Sequence, residues 1–302
     1  VSLILRPKCV PLSLTVYSGK LPHNRSNQTL VQEVEMPVVE TERHGQIFVV
    51  RINRPERLNA LGLEIRSLLA DAWSEFHESS ELEVGVFTGT GRAFCAGEDM
   101  KESVEAGSPY GGGRPPREDP FTAGMLDKPV ICAVNGFAMG GGFALVDRTD
   151  LRVAVPEAIF EVSNAKRWLL GGYERGHCSA LPHPIATEMA LGFRFTAQRL
   201  YEVGFVNRIA SSENLLPTAF EMANHLLTLP PASRVNTFQM MREIRPTVAP
   251  DLLRLADALR DHGAKGDLME SRRAFAEKRV PNFKGWDDPE DRYRAPTLAS
   301  LK

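Results

Sequence analysis

Residues 128–150 read Lys-Pro-Val-Ile-Cys-Ala-Val-Asn-Gly-Phe-Ala-Met-Gly-Gly-Gly-Phe-Ala-Leu-Val-Asp-Arg-Thr-Asp. Val130 to Val134 is a short apolar run of buried-strand type. Asn135-Gly136 breaks it. Gly140, Gly141 and Gly142 follow, and Phe143 to Val146 is apolar enough to start a helix. A strand, a glycine run and a helix start leave bare backbone N–H groups facing outward. No Cβ shields them, and the first helical N–H groups have no internal acceptor. Such a corner attracts an anion or a developing oxyanion. The alternative is a tight turn that lets a helix pack close to a sheet, and this segment alone leaves both readings open.

A second stretch repeats the pattern. Val84 to Phe87 reads as a buried strand, and Thr88-Gly89-Thr90-Gly91 leads into Phe94-Cys95-Ala96-Gly97-Glu98-Asp99-Met100. Glycine turns at 97–98 and 140–142 are able to aim N–H groups at one point, which spacing alone does not establish. Upstream, Val38 to Glu42 and Ile47 to Ile52 read as strands around His44-Gly45. Leu63 to Phe76 has the apolar spacing of a helix with one buried face, at Ile65, Leu68, Leu69, Ala72, Trp73 and Phe76. Residues 103–124 are rich in Gly and Pro and read as a mobile surface loop, either a lid over a pocket or a plain insertion. Leu151 to Val155 and Ile159 to Val162 are further strands. Helices are expected over 185–191, 197–203, 213–229, 232–243 and 251–277. Strands alternating with helices, then mostly helices, predict an α/β fold.

A chain of 302 residues with 43% hydrophobic and 25% charged residues is long enough to bury a full core. Its net charge of −2 gives no reason to expect nucleic acid or an anionic membrane. No apolar stretch is long enough to cross a bilayer. The four cysteines, Cys9, Cys95, Cys132 and Cys178, are scattered without metal spacing. They read as thiols of a reducing compartment, which places the protein in the cytoplasm. Residues 1–35 interrupt their apolar residues with Arg6 and Lys8 and read as a poorly ordered N-terminal extension rather than a targeting segment.

Four motifs in order carry a family resemblance. Asn53-Arg54-Pro55-Glu56-Arg57-Leu58-Asn59-Ala60-Leu61 resembles the opening signature of the enoyl-CoA hydratase/isomerase (crotonase) family. Phe94 to Met100 is similar to its first oxyanion segment, Lys128 to Gly142 to its central segment, and Leu200 to Asn207 to its late motif. The resemblance implies a crotonase-like α/β spiral of ββα repeats over 36–210. It also implies a C-terminal helical trimerisation region over 211–302, hence a homotrimer or a hexamer. The implied ligand is an acyl-CoA thioester, with coenzyme A as part of the substrate and no permanently bound cofactor. Its oxygen is expected between the backbone N–H groups of Glu98 and Gly141, with Ala96 and Gly140 completing the binding segments.

The departures concern acid/base groups. Hydratases of the family use two glutamates, and Ala144 and Asn164 stand at those positions here. Ala144 has no titratable group, and Asn164 orients a water without taking its proton. That leaves an atypical hydratase, isomerase, hydrolase or lyase, a non-catalytic acyl-CoA-binding protein, or a conventional enoyl-CoA hydratase whose two glutamates align elsewhere. The turn after Trp168 also departs, with Gly171-Gly172-Tyr173-Glu174-Arg175-Gly176-His177 in place of a Pro-Gly-Gly-like turn. Glu98 carries a carboxylate where the family more often has a small residue. That group disfavours the oxyanion or serves as a base, and the sequence does not say which. Asp147, near i+3 from Ala144, is either an acid/base on the same helical face or an ion-paired structural residue.

Overall fold

A computed structural model describes residues 37–108 and 118–301. The expectation for residues 1–35 falls outside the described residues. Among the described residues, ten strands form two sheets. The first sheet runs in the order β1 (Val39–His44), β2 (Ile47–Ile52), β3 (Val84–Gly89), β5 (Val130–Val134), β7 (Leu151–Ala154) and β10 (Arg208–Ile209). The second runs β4 (Ala93–Cys95), β6 (Phe137–Met139), β8 (Ile159–Glu161) and β9 (Arg194–Thr196). Each turn of the chain gives one strand to each sheet: β3 then β4, β5 then β6, β7 then β8. The strands stack in parallel on their predecessors, and among the described residues the β1–β2 and β8–β9 pairs alone are antiparallel. Stacking ββα turns in this way builds the crotonase spiral.

Helices fill the spaces between. They are α1 (Leu63–Glu78), α2 (Met100–Glu105), α3 (Pro120–Ala123), α4 (Gly141–Arg148), α5 (Asn164–Arg167) and α6 (Tyr173–Cys178). Then come α7 (His183–Ala190), α8 (Ala197–Glu202), α9 (Leu215–Thr228), α10 (Pro231–Glu243), α11 (Pro250–Asp261) and α12 (Gly266–Ala276). The predicted 251–277 helix is two helices. The chain breaks at His262-Gly263, where Gly263 has φ +156° and a Cβ would stand 3.2 Å from the Gly285 carbonyl oxygen. The predicted loop over 103–124 is also partly helical. Residues 103–105 end α2, and α3 sends Phe121 into the core, stacked 4.8 Å from Trp73. Residues 109–117 lie outside the described residues.

The core follows the predicted apolar runs. β3 and β5 are buried along their whole lengths, as continuous runs covered on both faces should be. Trp73 of α1 packs edge-on against Phe76 of the same helix and Phe87 of β3. Two buried cations close helix ends. Lys128 donates to the carbonyl oxygens of Phe76, His77 and Ser79 at the end of α1. Arg152 donates to those of Val146, Asp147 and Thr149 at the end of α4. A positive charge at a helix C-terminus satisfies orphan carbonyls and complements the dipole.

The segment after β2 fixes the turn after β4. Asn59, fully buried and left-handed at φ 56°, accepts from the Arg54 amide at 2.8 Å. Its amide donates to the Thr90 and Ala93 carbonyl oxygens. Ala96 N–H donates to the Leu58 carbonyl, Leu61 N–H to Gly97, and Asp99 N–H to Leu61. Arg54 and Arg57 both bind the Asp99 carboxylate, which also caps α2.

Two outcomes are expected. Asn59→Ala removes the partners of the Arg54 amide and the Thr90 carbonyl, leaves the Ala93 carbonyl to Asn135 alone, and puts a Cβ-bearing residue without a polar side chain at positive φ. It is expected to lower stability by about 2–4 kcal/mol, measured as the urea midpoint. The Asp99 carboxyl is held below the usual aspartate range: burial opposes ionisation, but Arg57, the Glu102 amide and Arg54 outweigh it. A depressed carboxyl contributes stability that is complete above its unfolded value, about pH 3.9, and is lost as pH falls through the folded value. Wild-type protein is therefore expected to lose stability below about pH 4, with a flatter acid limb in Asp99→Asn.

Candidate functional site

β4 and β6 pair in parallel, Ala93 with Phe137 and Cys95 with Ala138, so their C-terminal turns leave the sheet at the same end. Neither strand is evident in the sequence, because three residues are too few to show a period. The two turns then meet backbone to backbone. Gly97 has φ +91°, and a Cβ there would stand 2.6 Å from the Met139 carbonyl oxygen and 3.1 Å from the Gly141 nitrogen. A Cβ on Gly142 would lie 2.1 Å from the Cys95 carbonyl oxygen. Only glycine permits that approach.

Residues 97–99 pair with Leu61 as a one-residue parallel bridge through the Gly97 carbonyl and the Asp99 amide. In extended chain, alternate residues direct their amides to opposite sides. The Glu98 N–H therefore points away from Leu61. Gly141 packs against this turn: an ideal Cβ there would stand 3.1 Å from Leu61 Cδ1, 3.6 Å from Gly97 Cα and 3.8 Å from the Glu98 nitrogen. Gly141 is the first residue of α4, where N–H groups have no intrahelical acceptor. Gly140 N–H is used otherwise, donating to the Glu161 carbonyl at 2.8 Å. The corner also receives the positive end of the α4 dipole.

The carboxylates around it are held by cations. Glu98 makes a two-pronged pair with Arg272 of α12, Nε to Oε1 and Nη2 to Oε2 at 3.0 Å each, and accepts from Ser103 Oγ at 2.6 Å. Arg272 is fully buried; it also donates to the Arg167 and Leu268 carbonyls and lies 4.6 Å over the Trp168 ring. Glu161 is buried against Lys166 at 2.8 Å and Arg194 at 3.0 Å, and accepts from Ser163 Oγ. Burial opposes its ionisation, yet these partners hold its carboxyl below the usual range.

Asp147 is 5% exposed. It accepts from Ser179 Oγ, with Arg175 at 3.4 Å and Arg245 at 3.8 Å. It sits six residues beyond Gly141, about 9 Å along the helix axis. Ala144 is half-buried on the second turn of α4, and Asn164 is half-buried at the start of α5. Asn164 Oδ1 comes within 3.3 Å of the Cβ position of Gly172, just before α6. Beyond Gly172, α6 and α11 bound a cavity of about 510 Å³ with Leu170, Tyr173, Leu252, Leu255 and Leu259 in its wall. His177 lines it too and hydrogen-bonds the Thr247 carbonyl at 3.3 Å.

Buried Cys95 has its thiol pushed up to about 12 by burial, so it is no nucleophile at neutral pH. Among the described residues, no group of three or more His, Cys, Asp or Glu side chains has the arrangement of a metal site. No helix among them is long and apolar enough to cross a membrane. Sequence reasoning missed Arg272. It lies in a strongly charged helix, where an arginine ordinarily reads as a solvated side chain.

A sequence model described as enoyl-CoA hydratase/isomerase matches residues 42–286. Enoyl-CoA hydratase EchA19 of Mycobacterium tuberculosis is 32% identical over 259 residues, covering 80% of this chain and 94% of that protein. Carnitinyl-CoA dehydratase of Salmonella typhi is 34% identical over 257 residues, covering 80% and 97%. Among solved structures, carnitinyl-CoA hydratase from Mycobacterium avium superposes with a TM-score of 0.70 at 28% identity, over 82% of this chain and 98% of that one. EchA1_1 from Mycobacterium paratuberculosis also gives 0.70, at 29% identity, over 83% and 99%. By profile, by relatives and by fold, the chain belongs to the enoyl-CoA hydratase/isomerase family.

Proposed function

We propose that the chain is an enzyme acting on an acyl- or enoyl-CoA thioester, with the thioester oxygen received by the backbone N–H groups of Glu98 and Gly141. One observation carries this: the two glycine turns lie backbone against backbone, at the same end of a parallel strand pair. The printed names of the relatives, an enoyl-CoA hydratase and carnitinyl-CoA dehydratases, bring the thioester to this chain. Removing a proton beside a thioester, or adding to its conjugated alkene, places negative charge on that oxygen. Two prealigned donors stabilise it by about 2.7–4 kcal/mol each in comparable sites. Ala96 and Gly140 complete the two segments, and the apolar cavity between α6 and α11 suits an acyl chain.

Two-glutamate hydration is not the reaction we assign, because the family resemblance aligns Ala144 and Asn164 with those positions. A missing positioned acid or base costs about 10²–10⁴ in rate. Asn164 is assigned to orienting a water or the substrate. Asp147 is assigned to structure, since two arginines and a serine already hold its carboxylate. The reaction is then an isomerisation, hydrolysis, lyase step or atypical hydration with substrate, water or another side chain moving the proton. A second reading, an acyl-CoA-binding protein without turnover, is favoured by one observation: Glu98, Asp147 and Glu161 are each held by a cation. Self-association as a trimer or hexamer fits the exposed Met240, Met241 and Ile244 at the end of α10. The buried free thiols of Cys95 and Cys132 suit the cytoplasm.

Purified protein incubated in D₂O with a panel of acyl- and enoyl-CoA esters is expected to exchange an α-proton or turn over at least one of them. Asp147→Asn is expected to keep that activity within about tenfold and to lose stability instead, since it removes a charge from a buried pair. Tight thioester binding with no exchange or turnover across the panel selects the second reading. Abolition by Asp147→Asn in folded protein returns Asp147 to the reaction.

A further inference from the structure

Glu98 poses an electrostatic problem that follows from the thioester reading and rests on it. The residue whose N–H is to stabilise an oxyanion also carries a carboxylate a few bonds away. Unneutralised, that charge opposes the one the corner is built to receive. The charge is met from the far end of the chain. Arg272 stands 174 residues later, on α12, and grips both carboxylate oxygens in fork geometry. Ser103 of α2 supplies a further hydrogen bond.

Arg272 is itself held rigidly. It is fully buried, two of its contacts go to the Arg167 and Leu268 carbonyls, and its guanidinium lies over the Trp168 ring. Arg167, beside Trp168, also feels the Glu98 charge. Arg54 and Arg57 bind Asp99, and the Glu102 carboxylate accepts from the Leu63 amide. A planar, always-charged group with bidentate contact and an aromatic floor is what a compact ammonium does not replace.

We propose that Arg272 is a positioning residue for the oxyanion corner: its guanidinium neutralises the Glu98 carboxylate and holds it toward α12 and α2, leaving the Glu98 N–H to face Gly141. The docking of α12 and the competence of the corner are thereby one event. A proton and an electron pair move nowhere in this proposal; Arg272 touches neither substrate nor reacting atoms.

The test uses the full chain and a thioester that the wild type processes, with kcat and KM measured separately and folding followed by circular dichroism. Arg272→Met removes the two-pronged partner of a buried carboxylate beside the donor. It is expected to lower kcat by about 10- to 100-fold with KM within about threefold, the signature of lost transition-state stabilisation. Adding Glu98→Gln to that variant removes the carboxylate charge and is expected to restore kcat by about tenfold, because deleting both partners of a buried pair is far milder than deleting one. Arg272→Lys keeps the charge without the fork and is expected to fall between wild type and Arg272→Met. A merely structural Arg272 gives parallel changes in kcat and KM, or a loss that Glu98→Gln does not reverse, and either result overturns the proposal. Should Arg272→Met not fold, the Glu98→Gln/Arg272→Met protein carries the test, and a folded double variant with kcat more than about 100-fold below wild type overturns it. Wild-type protein inert toward every thioester defeats the thioester reading and this proposal together. Active wild type with an unaffected Arg272→Met defeats this proposal alone.

Discussion

Two backbones can lie against each other only where no side chain stands between them. The contact of the Cys95–Glu98 turn with the Gly140–Gly142 turn is such a place. A methyl group on Gly142 would sit 2.1 Å from a carbonyl oxygen, closer than any real contact allows. The constraint runs outward from there. Parallel pairing of β4 with β6 is needed to bring the turns to one end of the sheet. The spiral arrangement, in which each turn gives one strand to each sheet, is what makes those strands neighbours although 42 positions separate Cys95 from Phe137. The 53–61 segment then clamps residues 96–99 from the other side, which sets the direction of the Glu98 amide.

Long, strongly patterned elements were legible in the residues. Ile47–Ile52 and Leu63–Phe76 are apolar with the right period, and the structure builds β2 and α1 from them. β4 and β6 were not legible, because three-residue strands carry no period and owe their pairing to the sheet they join. The break between α11 and α12 was hidden for a different reason. Gly263 and Gly266 both fall inside the expected helix, and an isolated glycine in a helical pattern is tolerated often enough for each to be read through. Here Gly263 adopts a backbone conformation a helix cannot contain. The same holds for the site. Its glycines announced themselves through local composition, whereas the partner of Glu98 lies on a helix whose register against α2 no local signal specifies.

Electrostatics explains why residue type alone left Glu98 and Asp147 ambiguous. A buried carboxylate is a base when burial dominates and a structural anion when a cation meets it, and both situations look alike in sequence. The partners of Asp147 come from α6 and from the segment after α10, and those of Glu161 from α5 and β9. None is a helical neighbour at three or four residues. Each assignment depends on tertiary docking, the part of the fold that periodicity does not encode.

The Glu98–Arg272 pair shows what such docking contributes. Two unit charges about 6 Å apart interact by about 3 kcal/mol at an effective dielectric near 20, comparable to the benefit of one prealigned oxyanion donor. An isolated Glu98 carboxylate would therefore cancel roughly what we propose its own amide supplies. Pairing it with a buried guanidinium converts a net charge into a short dipole, whose field falls off faster with distance. The cost is desolvation of Arg272, offset by the fork to Glu98, two carbonyl acceptors and the Trp168 ring. A small residue at position 98 would need none of this. A chain that keeps glutamate there must keep α12 in place, so the C-terminal helix becomes part of the electrostatic definition of a site formed more than a hundred residues earlier.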